Sequence, residues 1–297
     1  MTIEFNCPHC GALIAFDSKH AGRRAKCLTC GQRCVIPKES FKKPEKIKPA
    51  PEPKGDPLPG FYRAVFLDTW KLFVDPRNVT PLTFVTAVVC FRFFLPQICC
   101  VNYVAWFIVW GWLFGFYLNI IYETAYDEDQ LPQIEVGTSI TFLWYALAPF
   151  LTFGFTLFLV ELPFIAVLGF SQGHGVTVGE IWSGTTSLHL LLRVLLIAGL
   201  SIFPAAILTT AVGKDFLLLR PDYLLAPIFR AFLPYTTVAA LLALTCFMEW
   251  HTIQYTNTDP ATTAMHLALN LAVQVVAILT MRSIGLLYRH YACYFKW

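Results

Sequence analysis

The sequence predicts an all-α polytopic membrane helix bundle of about six transmembrane helices, preceded by a small N-terminal β module organised by cysteines. Three observations carry this. Of 297 residues, 56% are hydrophobic and 14% are charged, against roughly a quarter charged in soluble domains. Apolar runs long enough to cross lipid recur between residues 79 and 288. Two Cys-x-x-Cys pairs, Cys7/Cys10 and Cys27/Cys30, stand near the start of the chain. A soluble fold with 26 Phe, 12 Tyr and 8 Trp would have too little polar surface to cover its apolar mass.

Charge divides the chain into zones. Half of the 22 Lys and Arg lie before residue 55, so the net charge of +3 describes neither part and by itself points to no nucleic acid. Residues 1–37 form the cysteine module. Residues 38–59 form a basic linker, and residues 60–297 form the transmembrane helical domain.

In the module, two residues between thiols let one tight turn offer both sulfurs to a single metal. Gly11 and Gly31 follow the pairs and can take a left-handed backbone that brings amide N–H groups toward the sulfurs. Four thiolates from Cys7, Cys10, Cys27 and Cys30 make a closed tetrahedral shell suited to Zn²⁺. A closed shell leaves no position for water, so the expected site is structural. Lys19, Arg23, Arg24 and Lys26 are placed to offset its negative charge. His9 and Cys34 are spare donors. A thiol–disulfide redox centre uses the same spacing but belongs to a much larger fold. Leu13 to Phe16 reads as a strand, Asp17 to Gly22 as a turn, and Val35-Ile36-Pro37 as the closing strand. A unit this short cannot bury enough surface to fold alone, so the metal is expected to supply its stability.

The linker mixes Lys38, Lys42, Lys43, Lys46, Lys48 and Lys54 with six prolines between Pro44 and Pro59, which predicts an extended, mobile tether. Beside a bilayer, such cations are drawn to anionic lipid headgroups, a simpler partner than nucleic acid. Residues 61–75 read as an amphipathic helix lying in the membrane interface. Phe61, Val65, Leu72 and Phe73 share its apolar face, Trp70 is at the edge, and Arg63, Asp68 and Lys71 stay wet.

Six spans are expected near residues 79–98, 101–122, 140–170, 189–212, 231–250 and 265–288. The third exceeds one perpendicular crossing and contains Pro149 and Pro163, which predicts a kink or tilt. Residues 216–230, interrupted by Arg220, Pro221 and Asp222, read as a second interfacial segment. Met1 to Phe16 lack a basic start and an apolar core, so the first span is expected to direct insertion. With the N-terminus in the cytoplasm, the outward loops 171–188 and 251–264 contain no Lys or Arg, whereas inward segments carry Lys214, Arg220, Arg230, Arg282, Arg289 and Lys296. The positive-inside bias therefore predicts a cell-membrane protein with both termini cytoplasmic.

The N-terminal pattern, with Phe5 before the first pair, Asp17, Ala21-Gly22-Arg23 and Val35-Ile36-Pro37, resembles the rubredoxin-like zinc ribbon that begins many bacterial membrane proteins. Gly115-Phe116-Tyr117 through Asp129-Gln130-Leu131-Pro132 resembles a bacterial and archaeal multi-pass domain of unknown function, in which a Gly-Tyr start on one helix leads to an acidic Leu-Pro turn. Gly115-Phe116 departs from Gly-Tyr. Arg220-Pro221-Asp222 and Arg282-Ser283-Ile284-Gly285 are similar to later parts of such proteins. The resemblance implies an inner-membrane location and no activity.

Weaker patterns remain. Arg92 and Glu161 are the foremost intramembrane charges, with Arg193 about a turn below its helix end and Glu249 at the rim; a pair between Arg92 and Glu161 is one reading, and snorkelling of Arg92 and Arg193 is the other. Gly169-Phe170-Ser171-Gln172-Gly173 matches a nucleophile elbow, with Asp259 and His266 downstream, but the motif needs a strand-to-helix turn. His174, His189, His251 and His266 lack a fixed metal-binding spacing. The sequence thus favours a non-enzymatic membrane protein whose ribbon docks a cytoplasmic protein partner or regulates the bundle. The competing reading is a transporter or channel using Arg92 and Glu161. Oligomeric state is not encoded in any pattern here.

Overall fold

The computed structural model describes residues 2–7, 13–27, 29–37, 55–94, 99–134, 140–172, 181–253 and 259–295. Cys10, His9, His174 and most of the linker (38–54) lie outside the described residues. The chain divides into two compact units, Met1–Glu52 and Pro53–Trp297, each with its own apolar core.

The first unit is two antiparallel hairpins. Strand β1 (Thr2–Asn6) pairs with β2 (Leu13–Asp17) in a register running from Thr2 opposite Asp17 to Asn6 opposite Leu13. Strand β3 (Arg24–Lys26) pairs with β4 (Arg33–Val35). The two-residue side-chain period turns Ile3, Phe5 and Ile14 inward, where they meet Cys7, Cys27, Cys34 and Ile36. The turn after β2 is local chemistry. Asp17 accepts from the Lys19 backbone N–H at 3.2 Å and pairs with its ammonium at 2.9 Å. The Lys19 side chain, then its amide, hold the Asp17 carboxyl below the usual carboxylate range. Gly22, at φ 78°, donates to the Ile36 carbonyl at 2.8 Å, and Ile36 donates back to Arg23 at 2.9 Å. The expected closing strand is displaced: it runs Arg33–Val35 and pairs with β3, and Ile36 and Pro37 follow it.

The second unit is helical: α1 (Phe61–Phe66), α2 (Lys71–Val74), α3 (Val79–Phe94), α4 (Cys99–Ala125), α5 (Ile140–Val160), α6 (Leu162–Gln172), α7 (Ser187–Gly213), α8 (Pro221–Arg230), α9 (Phe232–Ile253) and α10 (Pro260–Tyr291). Among the described residues, stretches in α4, α5, α7, α9 and α10 are long and apolar enough to cross a membrane. They fit a membrane protein. The 16 residues of α3 extend about 24 Å, short of a hydrocarbon core of about 30 Å.

Three expectations change. Residues 140–170 are two helices parted at Glu161, because Pro163 cannot donate to the preceding turn. Residues 61–75 are not one helix: a 3₁₀ turn at Asp68–Trp70 separates α1 from α2. Their buried face meets protein, since the Phe61 ring packs edge-on against His290 and Tyr291 of α10 at 5.9 and 5.6 Å. The last linker residues are also pinned. The Leu58 N–H donates to the His290 carbonyl at 2.9 Å, and the Leu58 carbonyl lies 3.0 Å from His290 Nδ1.

Helices approach where side chains are small or share hydroxyls. Gly111 and Gly115 sit on one face of α4 against α5. A Cβ at Gly111 would meet the Ala146 carbonyl oxygen at 2.2 Å, and one at Gly115 would meet Pro149 Cγ at 3.0 Å. Such small-xxx-small spacing brings backbones together in lipid, where dispersion and hydrogen bonds replace the hydrophobic effect between helices. Gly111→Val is expected to destabilise by about 3 kcal/mol, the upper end for overpacking, because backbone rather than a side-chain tip must yield. A fall in the thermal midpoint of the detergent-purified protein checks this; an unchanged midpoint refutes the packing. The Thr156 and Thr210 hydroxyls meet at 3.2 Å between α5 and α7, and Thr245 and Thr280 at 2.8 Å between α9 and α10.

Pro204 interrupts the hydrogen-bond ladder of α7. The buried Tyr235 hydroxyl of α9 enters next to it, donating to the Ser201 carbonyl at 2.6 Å and accepting from the Ala205 N–H at 3.4 Å. Tyr235→Phe removes both of these hydrogen bonds and is expected to cost about 1–3 kcal/mol. Its thermal midpoint should fall, and equality with the parent would remove this role.

Candidate functional site

Two places in the chain concentrate chemistry. The first is in the N-terminal unit. Cys7 directly follows β1 and Cys27 directly follows β3. The Cys27 N–H donates to the Gln32 carbonyl at 2.8 Å, and Gly31, at φ 71°, donates to the Cys27 carbonyl at 2.9 Å. This folds Cys30 back toward Cys7. The Sγ atoms of Cys7, Cys27 and Cys30 all lie within 4.8 Å of one another, and those of Cys7 and Cys30 are 3.8 Å apart. A disulfide would need about 2.05 Å. A tetrahedron with metal–sulfur bonds of about 2.3 Å has sulfur–sulfur edges of about 3.8 Å. Three thiols are thus positioned to hold a metal ion, and Cys10 lies outside the described residues.

Cys34, the spare donor, stands apart from this trio. It is buried in the core, with its Sγ 3.7 Å from the Ala25 carbonyl oxygen. Lys19, expected to offset thiolate charge, instead pairs with Asp17. The Lys26 side chain does run by the turn, with Cε 3.6 Å from where a Gly31 Cβ would stand. Among the described residues no histidine joins a metal-like group. His189 bonds Thr186, and His251 stacks edge-on with Phe247.

The second place is inside the bundle. Arg92, near the end of α3, donates from Nη1 to Glu249 Oε1 of α9 at 2.7 Å and from Nη2 to Asn270 Oδ1 of α10 at 2.6 Å. Its guanidinium lies 4.9 Å from the Trp110 ring centroid on α4. Only 13% of the Arg92 and 14% of the Glu249 side chain is exposed, so the pair is shielded from solvent screening. One turn along α10 from Asn270, Gln274 accepts from the buried Tyr117 hydroxyl. Four helices therefore converge on one polar stripe.

This corrects the expected pairing of Arg92 with Glu161. The ion pair is Arg92–Glu249, because α9 and α10 bring their polar groups to α3, while Glu161 faces α7. Arg193 does not simply snorkel. It donates to the carbonyls of Ile181 and Trp182 at 2.7 and 2.8 Å, and also to Gly184. Ser171 is fully buried and its hydroxyl donates to Leu168 of its own helix at 2.8 Å. Its motif lies at the end of α6 rather than on a strand-to-helix turn, and Asp259 caps α10 by accepting from the Thr262 N–H at 3.1 Å. The nucleophile-elbow geometry is not formed by these residues.

At the opposite end of α10, two of the segments singled out by resemblance, 115–132 and 282–285, come together. Buried Arg282 donates to Asp129 at 2.8 Å, and Arg289 pairs with Asp129 at 3.2 Å and with Asp127. A Cβ at Gly285 would meet Thr124 Cβ at 2.7 Å, and buried Asn78 accepts from the Leu131 N–H at 3.0 Å. Sequence reasoning missed Asn270, Gln274 and the Gly111/Gly115 face. The signals were present: two amides four residues apart on an apolar helix, and two glycines at the same spacing. Comparison of the chain with protein-family models, with curated proteins and with solved structures finds no match.

Proposed function

We propose that this chain is an integral inner-membrane protein of bacterial type whose N-terminal unit is a zinc ribbon that docks or regulates a cytoplasmic protein. The observation that carries this reading is the 3.8 Å separation of Cys7 and Cys30 Sγ within the three-cysteine group, a metal-shell edge rather than a bond. Cys10 supplies the fourth thiolate, following Cys7 by the same spacing that separates Cys27 from Cys30. When bound, Zn²⁺ supplies folding energy and no open coordination position, so the role is structural and the protein non-enzymatic. The N-terminal residues form a compact unit of their own, which suits a presented module. Both termini face the cytoplasm, by the placement of Lys and Arg. The basic linker adds attraction to anionic lipid headgroups.

The test is affinity capture of the intact protein from membranes beside a variant lacking residues 1–37. The expected outcome is a cytoplasmic protein that co-purifies with the intact chain alone. Identical companions for both would end the docking reading.

A further inference from the structure

The geometry at the α5/α6 break points to a buried carboxyl that no salt bridge among the described residues accounts for: we propose that Glu161 is a proton-binding carboxyl, held in the bundle as the neutral acid. This does not rest on the metal-binding reading of the N-terminal unit.

Glu161 is the single residue between α5 and α6 and is 7% exposed. Both carboxyl oxygens are shut off from solvent and, among the described residues, have no hydrogen-bond partner. Most buried carboxylates pair with a cationic side chain or several N–H donors; among the described residues this one pairs with neither. Its backbone is in order, with N–H donating to Leu157 and the carbonyl accepting from Ile165, each at 2.9 Å. The side chain is therefore placed by intact helix on both sides and is not in a frayed end.

Its head rests on α7 at Gly199. A Cβ there would meet Oε1 at 2.4 Å, Cδ at 2.5 Å and Oε2 at 2.7 Å, so the missing side chain makes the room the carboxyl occupies. Among the described residues, no charge on α5, α6 or α7 compensates it; on α4, which packs on α5, Tyr117 is bonded to Gln274, and Glu123 is an acid that could not neutralise a carboxylate. On α5 the titratable side chain is Tyr145, which is exposed. Helix α6 has none. On α7, Arg193 is engaged by backbone carbonyls and His189 by Thr186. An ionised carboxylate in such surroundings costs several kcal/mol, and an intramembrane carboxyl without a partner is a functional site by default. The ligand that removes this cost with no added volume is a proton. Binding forms one O–H bond on a carboxyl oxygen; release breaks it and passes the proton to water, which the helix break at Glu161 would have to admit.

The test uses the full chain in phosphatidylcholine vesicles with dicyclohexylcarbodiimide, an apolar reagent that adds across the O–H of a protonated carboxyl. Addition followed by acyl transfer to nitrogen leaves a stable N-acylurea with the whole reagent mass. An ordinary exposed carboxyl is protonated in about one molecule in a thousand at pH 7, so labelling of Glu161 is expected to exceed that of exposed carboxyls by on the order of hundredfold. Peptide mass spectrometry reads the site, and a label absent from Glu161→Gln confirms it. The infrared carbonyl band of a protonated acid should be present in the parent and missing in the same variant. Absence of label at Glu161 at pH 7, or a parent spectrum without that band, overturns the proposal.

Discussion

Cys7→Ser is expected to lower the metal content of the purified protein from about one ion per chain to near none, while the helical unit still inserts. Cys7 belongs to the three-cysteine group, buried and 3.8 Å from Cys30. Apart from those thiols, the core of this unit is Ile3, Phe5, Ile14, Cys34 and Ile36, with Phe16, Ala21 and Ala25 at its margin. That is too little apolar surface to hold two short hairpins against chain entropy. Structural zinc in peptides of this size contributes about 10–16 kcal/mol at neutral pH. Losing one thiolate should therefore unfold residues 1–37 as a block. Elemental analysis gives the ion count, and limited proteolysis gives the folding state. Full metal content in Cys7→Ser would refute the ligand assignment. Prolonged chelation of the parent should reproduce the proteolytic pattern of the mutant.

Arg92→Met is expected to cost about 3–5 kcal/mol, because it leaves Glu249 buried without its counter-charge. The double variant Arg92→Met/Glu249→Met should recover most of that loss, since the penalty belongs to the unpaired charge. Asn270 would still lose a donor, so recovery is expected to stop short of the parent. Thermal unfolding in detergent separates these cases. Equal instability of single and double variants would show that packing around Trp110 matters more than the ion pair. Arg92→Glu combined with Glu161→Arg should give no rescue, because Glu161 lies against Gly199 instead.

Much of this architecture was legible in the residues. The Cys-x-x-Cys spacing and Gly31 after the second pair mark the cysteine group that Cys7, Cys27 and Cys30 form. Apolar length then marked α4, α7, α9 and α10 to within a few residues. These features are legible because each depends on local sequence: a turn, a hydrophobic run, a helix stop. The break at Glu161 was half legible. Pro163 announced a disturbance, but the seat of the Glu161 carboxyl depends on the room that Gly199 leaves on α7. The partner of Arg92 was not legible at all. In lipid an Arg takes whichever acid the packing of helices delivers, and the one-dimensional sequence favours Glu161, within a span, over Glu249 at a helix rim. The apolar face of residues 61–75 posed a similar ambiguity, since lipid and α10 both reward the burial of Phe61 and Val65.

The backbone clasp between Leu58 and His290 bears on how this protein should be handled. It joins the entry of the helical unit to its last helical turn, so that unit is stitched into a near-closed ring. Peeling from either terminus must first undo the same stitch. Trimming the carboxyl end back past His290 should therefore loosen the chain ahead of Phe61, more than two hundred positions away in sequence. A purification tag fused after Trp297 belongs on a spacer, and a fusion that tugs on α10 would be felt at the other end of the molecule.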